Sequence, residues 1–167
     1  MAENYIVING KRAELTKEQL KALGIESELE RRNPCTKVTK GDTYYFASEY
    51  GGVESYTQTN DNADDALLKC YNYFNDDSVA QQVALHQLLY RKLLKFAYDN
   101  ECEDTSEWGT HNQHWTIYYD CDDDKFVADS WDTFKFASVY FNSEDAADRA
   151  IKEIVQPFVK EHPDFKW

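Results

Sequence analysis

Residues 73–84 read Tyr-Phe-Asn-Asp-Asp-Ser-Val-Ala-Gln-Gln-Val-Ala, and residues 140–151 read Tyr-Phe-Asn-Ser-Glu-Asp-Ala-Ala-Asp-Arg-Ala-Ile. Each stretch opens on a strand-prone aromatic pair and passes through an Asn able to cap a helix, Asn75 or Asn142. Acidic residues follow where the helix dipole favours negative charge, and then apolar residues recur at helical spacing. An offset of 67 pairs Phe74 with Phe141, Ala80 with Ala147, Ala84 with Ile151 and Leu88 with Val155. Upstream, Thr43-Tyr44-Tyr45-Phe46 resembles Thr116-Ile117-Tyr118-Tyr119 at an offset of 73. This pattern predicts an α+β fold: an antiparallel sheet with helices packed on one face, built from two repeated ββ(β)α units.

Working outward, each unit begins with a hairpin. Thr43 to Ala47 is aromatic, Gly51-Gly52 is a turn, and Val53 to Thr59 alternates as the return strand. Asp61 to Asp65 reads as a polar loop. The long helix begins near Asn75 and runs to about Tyr98, with Arg91, Lys92 and Lys95 near its end to match the dipole. In the second unit, His114 to Tyr119 and Lys125 to Ala128 form the hairpin, and Val139 to Phe141 a short strand. A last helix carries Ala147, Ala150, Ile151, Ile154, Val155 and Phe158, and Pro157 is expected to kink or end it. A small hairpin and helix precede both units. Tyr5 to Ile8 leads into Asn9-Gly10, a strong turn signal, and Thr16-Lys17-Glu18-Gln19 matches a capping box, with Gly24 closing the helix. The expected organisation is 1–25 hairpin and helix, 26–42 connector, 43–99 first unit, 100–113 acidic loop and 114–167 second unit.

Composition narrows the function. The 167 residues carry 31 acidic and 18 basic side chains, net −13, with 42% hydrophobic and 15% aromatic residues. That is enough apolar residue for a core and too much for a disordered chain. No apolar run reaches the length of a membrane span, and the N-terminal residues do not read as a signal peptide. The four cysteines (Cys35, Cys70, Cys102, Cys121) are far apart with no C-x-x-C, so reduced thiols in a cytoplasmic protein are expected. Direct binding to nucleic acid is disfavoured because the net field repels phosphate.

The acid is concentrated late. Residues 1–50 are neutral overall, 51–100 carry net −3 and 101–167 carry net −10. The clusters are Glu101, Glu103, Asp104 and Glu107; Asp120, Asp122, Asp123 and Asp124; Asp129 and Asp132; and Glu144, Asp145 and Asp148. Acidic loops keep many proteins soluble without a partner; a surface built for a basic partner is the functional alternative.

No catalytic motif stands out: there is no P-loop, G-x-G-x-x-G, G-x-S-x-G or H-E-x-x-H. His111 and His114 form an H-x-x-H between Cys102 and Cys121, but the gaps supply no chelating cysteine pair for zinc. Asp120, Asp122 and Asp124 occupy the first three ligand positions of a calcium loop, yet the sixth is Lys125 and the twelfth Trp131, so that motif fails. His86, amid apolar neighbours on the long helix, reads as a structural histidine. No metal, cofactor or catalytic residue is assigned.

The stretches I-V-I-N-G-K-R-A-E-L-T-K-E-Q-L-K-A-L-G-I, R-R-N-P-C with G-D-T-Y-Y-F, Y-N-Y-F-N-D-D-S-V-A-Q-Q-V-A-L-H-Q-L-L-Y-R-K-L-L-K-F-A-Y and V-Y-F-N-S-E-D-A-A-D-R-A-I together cover most of the chain. They resemble small uncharacterised proteins encoded by bacteriophages, prophages and mobile elements. The shared motifs are structural, so the resemblance implies a setting, often action against host defence or replication enzymes, rather than a reaction.

Charge and setting together lead to the expectation of a non-enzymatic, monomeric inhibitor inside the host bacterial cell. It would occupy the basic groove of a nucleic-acid-binding enzyme, such as a CRISPR or restriction nuclease, by presenting a DNA-mimicking acidic surface. The expected partner-binding residues are Glu101, Glu103, Asp104, Glu107, Asp120, Asp122, Asp123, Asp124, Asp129, Asp132, Glu144 and Asp145. The alternatives are an interaction module that uses a Tyr-rich sheet face, and a ligand-sequestering protein with a pocket between the two repeats.

Overall fold

The computed structural model describes residues 5–8, 10–23, 33–109 and 111–167. The chain divides into two compact units, Met1–Thr36 and Lys37–Trp167.

In the first unit, β1 (Tyr5–Ile8) pairs antiparallel with β2 (Lys11–Glu14), and α1 (Lys17–Ala22) follows. The turn places Gly10 at φ 76°, a left-handed conformation that glycine adopts at little cost. The predicted capping box is present: the Thr16 N–H donates to Gln19 Oε1 at 2.9 Å, and the Gln19 N–H donates to Thr16 Oγ1 at 3.3 Å. Asn9, Gly24 and residues 26–32 of the expected connector lie outside the described residues.

The second unit is α+β with two antiparallel hairpins, each a separate two-stranded ladder. In the first, β3 (Thr43–Ala47) pairs with β4 (Val53–Thr57). Residues 61–65 do not form the expected loop. Asp61 caps α2 (Asn62–Lys69) by accepting from the Ala63 and Asp64 N–H groups. The long helix α3 (Asp77–Asp99) is capped by Asp76, not Asn75, because Asp76 Oδ1 accepts from the Ser78 and Val79 N–H groups. Its last turn carries no basic residue; Lys95 instead pairs with Asp99 at 2.5 Å.

In the second hairpin, β5 (His114–Asp120) pairs with β6 (Lys125–Trp131). The last helical stretch comprises α4 (Glu144–Ala150), a π-helical segment over Ile151–Val155, and α5 (Gln156–Glu161). Ser143 caps α4 in place of Asn142 by accepting from the Ala146 N–H. Pro157 neither ends nor breaks the helix. It sits in the first turn of α5, directly after the π-helical segment, whose wider turn (Gln156 N–H to Ile151 O) restarts the helix where a proline is tolerated.

The expected third strands shrink to single bridges. Phe74 pairs with Tyr45, and Phe141 pairs with Trp115 and Glu103. Each aromatic lies two residues before a helix cap, so the chain turns away after a single bridged residue. The ladders therefore do not fuse into the one sheet that the sequence suggested.

The core lies on one face of the β5–β6 hairpin. Leu85, Leu89, Leu93 and Phe96 from α3 meet Ile117, Val139, Phe141, Ile151, Val155 and Phe158. Ala80, Ala84, Ala97, Ala147 and Ala150 are fully or almost fully buried, and their small side chains permit close approach of backbone. Helix α3 also lies against β3 and β4. A separate polar knot fastens the first hairpin. The buried Asp64 carboxylate accepts from the Tyr44 hydroxyl at 2.8 Å, Gln58 Nε2 at 3.0 Å and the Thr59 and Asn60 N–H groups at 2.8 and 2.6 Å. Tyr73, stacked on Tyr44, donates to Gln58 Oε1 at 2.6 Å.

Candidate functional site

Strand register decides what the β5–β6 hairpin shows to each side. Side chains alternate, and the cross-strand pairs Trp115–Ser130, Ile117–Ala128 and Tyr119–Phe126 face the helical core. The pairs His114–Trp131, Thr116–Asp129 and Tyr118–Val127 therefore share the opposite, outer face. The segment after β6 folds back across part of that face. Thr116 Oγ1 donates to the Val139 carbonyl at 3.0 Å and lies 2.9 Å from Ser138 Oγ. Phe136 packs edge-on to Trp131, centroids 5.5 Å apart, and the Tyr140 hydroxyl accepts from the Phe136 N–H at 2.5 Å.

These contacts leave a pocket of about 480 Å³ on the outer face, lined by Thr116, Tyr118, Asp129, Trp131, Phe136 and Ser138 among others. Its walls are aromatic and its one ionisable acid is Asp129, half-buried, with Oδ1 accepting from the Ser130 N–H at 2.7 Å. Among the described residues, no lysine or arginine forms an ion pair with Asp129.

The acidic residues singled out from the sequence separate into two groups at opposite ends of this hairpin. At the tip, Asp120 caps the turn by accepting from the Asp122 and Asp123 N–H groups at 2.9 and 3.3 Å. Asp123 pairs with Lys125 at 2.6 Å, which lowers the Asp123 pKa and raises that of Lys125. The Tyr119 hydroxyl donates to Asp124, and that bond, aided by burial, pushes the phenol pKa up. Asp122 is exposed beside them.

At the open end, Asn142 binds the Glu101 and Cys102 carbonyls, so the start of α4, with Glu144 and Asp145, lies beside Glu101 and Glu103. Asp132 is 3.8 Å from His111, and Glu107 occupies the adjoining loop. Six residue steps along β5 separate the two ends, about 20 Å at strand rise. Asp129 sits between them. The one continuous surface expected from the sequence is thus two groups with an aromatic pocket between.

Asp104 leaves the set. Its side chain is 2% exposed, and it accepts a hydrogen bond from Nδ1 of the fully buried His114. It serves the interior and presents no charge to solvent. His111 and His114, adjacent in the H-x-x-H, diverge in the same way: His111 is exposed and His114 buried. Among the described residues, no group of three or more His, Cys, Asp or Glu could hold a metal ion. Cys35, Cys70 and Cys121 are exposed free thiols; Cys102 is buried, which pushes its thiol pKa up. No helix among the described residues is long and apolar enough to cross a membrane.

Sequence reasoning missed both the pocket and the His114–Asp104 pair. The available signal was the period-two pattern at His114, Thr116 and Tyr118 facing the aromatic run Trp131, Phe134 and Phe136; only the register places Asp129 among them. No family model, curated protein or solved structure matches the chain.

Proposed function

We propose that this chain is a non-enzymatic binding protein whose acidic hairpin occupies the basic, nucleic-acid-binding groove of a partner protein inside a bacterial cell. The observation that carries the reading is the placement of carboxylates at both ends of the β5–β6 hairpin, with Asp129 between them. Duplex DNA presents about one charge per 1.7 Å, or roughly 12 over the ~20 Å length of this hairpin. Eleven of the twelve expected carboxylates remain after Asp104 is removed, and ten after the Asp123–Lys125 pair is also set aside, a comparable number. Clustered like charge speeds encounter with a basic groove and disfavours acidic competitors. A role against host defence, anti-CRISPR or anti-restriction, draws its support from the sequence resemblance to phage and mobile-element proteins.

The two hairpin–bridge–helix segments are read as one unit used twice. Supporting this, Phe74 and Phe141 occupy the same place in each, bridging a hairpin two residues before the caps Asp76 and Ser143. The residues preceding the bridged positions, Tyr44 and His114, are both fully buried, and each donates a hydrogen bond to an aspartate, Asp64 and Asp104.

The test is affinity capture from bacterial lysate with duplex DNA as competitor. The proposal expects a nucleic-acid-binding enzyme that is retained by the chain and released by DNA. Retained proteins that DNA does not displace would contradict it. A second reading, contact through a Tyr-rich sheet face, is favoured by the strand residues Tyr56 and Tyr118, which are 50% and 38% exposed.

A further inference from the structure

The pocket on the outer face of the β5–β6 hairpin has a chemistry of its own. Trp131 and Phe136 stand at 77° to each other, so one presents a ring face where the other presents an edge. Tyr118 joins them from β5, two residues beyond Thr116, and Thr116 and Ser138, already hydrogen-bonded to each other, line the pocket with them. Asp129 is diagonal to Tyr118 in the strand register and directly opposite Thr116. An aromatic enclosure with a single carboxylate lacking a cationic partner among the described residues is complementary to an organic cation. Ring faces attract positive charge electrostatically, and the carboxylate supplies a charged acceptor. An anion would meet Asp129 and the field of a segment with net −10. A neutral apolar group would leave the half-buried carboxylate, bonded only to the Ser130 N–H at 2.7 Å, without a counter-charge. The described residues already use this chemistry: Lys135 Nζ lies 5.2 Å from the centroid of the Trp108 ring, and Arg149 Cζ lies 5.5 Å from that of Phe96.

We propose that this pocket receives the cationic end of a lysine or arginine side chain. The inference extends the acidic-surface reading by giving that surface an anchor point between its two charged groups. Its test needs no protein partner, so the two stand or fall separately.

The probes are capped single residues, Nα-acetyl-lysine methylamide and its arginine counterpart. Nα-acetyl-norleucine methylamide serves as the neutral analogue of matching length. Each is titrated into the full chain at constant ionic strength while the indole N–H resonance of Trp131 is followed by NMR, with the resonance assigned through Trp131→Phe. The expected result is saturable movement with capped lysine or arginine, and binding to norleucine at least several-fold weaker. Asp129→Asn keeps the shape and is expected to weaken cation binding about tenfold. Phe136→Leu, on a half-exposed side chain outside the strands, is expected to weaken it independently. Absence of saturation up to about 100 mM, or equal binding of norleucine and lysine, would overturn the proposal. Binding of 1,4-diaminobutane with no binding of capped lysine or arginine would overturn the assignment to a side chain.

Discussion

The Trp108 indole lies flat on the His114 imidazole, with ring centroids 3.6 Å apart and planes within 7° of parallel. Lys135 rests above the indole, Tyr140 meets its edge, and Asp104 holds the imidazole from within the same loop. A segment whose acidity marks it for solvent is thereby fastened over the start of β5. His114 Nδ1 donates to Asp104, while Nε2 has no hydrogen-bond partner. Asp104→Ala is therefore expected to leave both ring nitrogens unpaired in the interior and to destabilise the fold by about 1–3 kcal/mol. Asp104→Asn retains an acceptor and should lose less. Urea denaturation of the two variants checks this, and equal midpoints would contradict it.

Asp64 gives the fold a defined acid limit. Burial alone would raise its carboxyl pKa, but hydrogen bonds from Tyr44, Thr59, Asp61 and Asn60 outweigh burial and hold it down to about 2. An unfolded aspartate takes up its proton near pH 4, so the unfolded state binds the proton first as pH falls. The contribution is present above about pH 4 and is lost as pH falls through about 2. Stability measured by urea from pH 2 to 5 should rise with pH in the wild type and more shallowly in Asp64→Asn. Identical slopes would show that another carboxylate sets the limit.

Gly51 is a position where a side chain would be both strained and crowded. Its φ is 88°, and a Cβ there would stand 3.1 Å from Leu88 Cδ1 on α3. Gly51→Ala combines left-handed strain, about 1–2 kcal/mol, with displacement of a helix side chain. Gly41→Ala, with φ 99° and nothing within 4 Å of the added carbon, carries the strain alone. Thermal denaturation should rank Gly51→Ala as the less stable of the two.

The tip of the β5–β6 hairpin is exposed and makes local contacts, so its charge can be reversed without unfolding the protein. Asp122→Lys combined with Asp123→Lys is expected to leave the far-UV circular dichroism unchanged, with stability altered by less than about 1 kcal/mol. In Asp124→Asn, the Tyr119 phenol should titrate closer to its ordinary value, because the carboxylate that raises it is gone. Ultraviolet titration of the phenols reads that shift.

The local chemistry of the chain was legible where neighbours in sequence are neighbours in space. The Thr16–Gln19 capping box and the long helix to about Tyr98 rest on contacts within a few residues, and the aromatic strand at 43–47 and the hairpin beginning at His114 rest on pairing with the segment just past the next turn. Sequence and structure part where distant partners decide burial, and at the exact start of two helices. Asp61 to Asp65 looks like a solvated run, yet Asp64 is drawn inside by Tyr44, twenty residues earlier. Asp104 looks like one acid among four, and its burial depends on His114 ten residues later. Asn75 and Asn142 are plausible caps, but Asp76 and Ser143, one residue on, are the ones that accept from the helix N–H groups. The pocket was not legible because Tyr118, Asp129 and Phe136 meet only through register and a chain reversal.

The most direct test of the acidic-surface account is the salt dependence of affinity for the captured partner, measured for the wild type and for the tip-reversed Asp122→Lys, Asp123→Lys chain. The account predicts a steep fall in affinity as ionic strength rises above physiological, because exposed charge is screened within about 8 Å. It also predicts a large loss on tip reversal even at low salt. Affinity that is unchanged by salt and by reversal would contradict the account and transfer the contact to the exposed tyrosines.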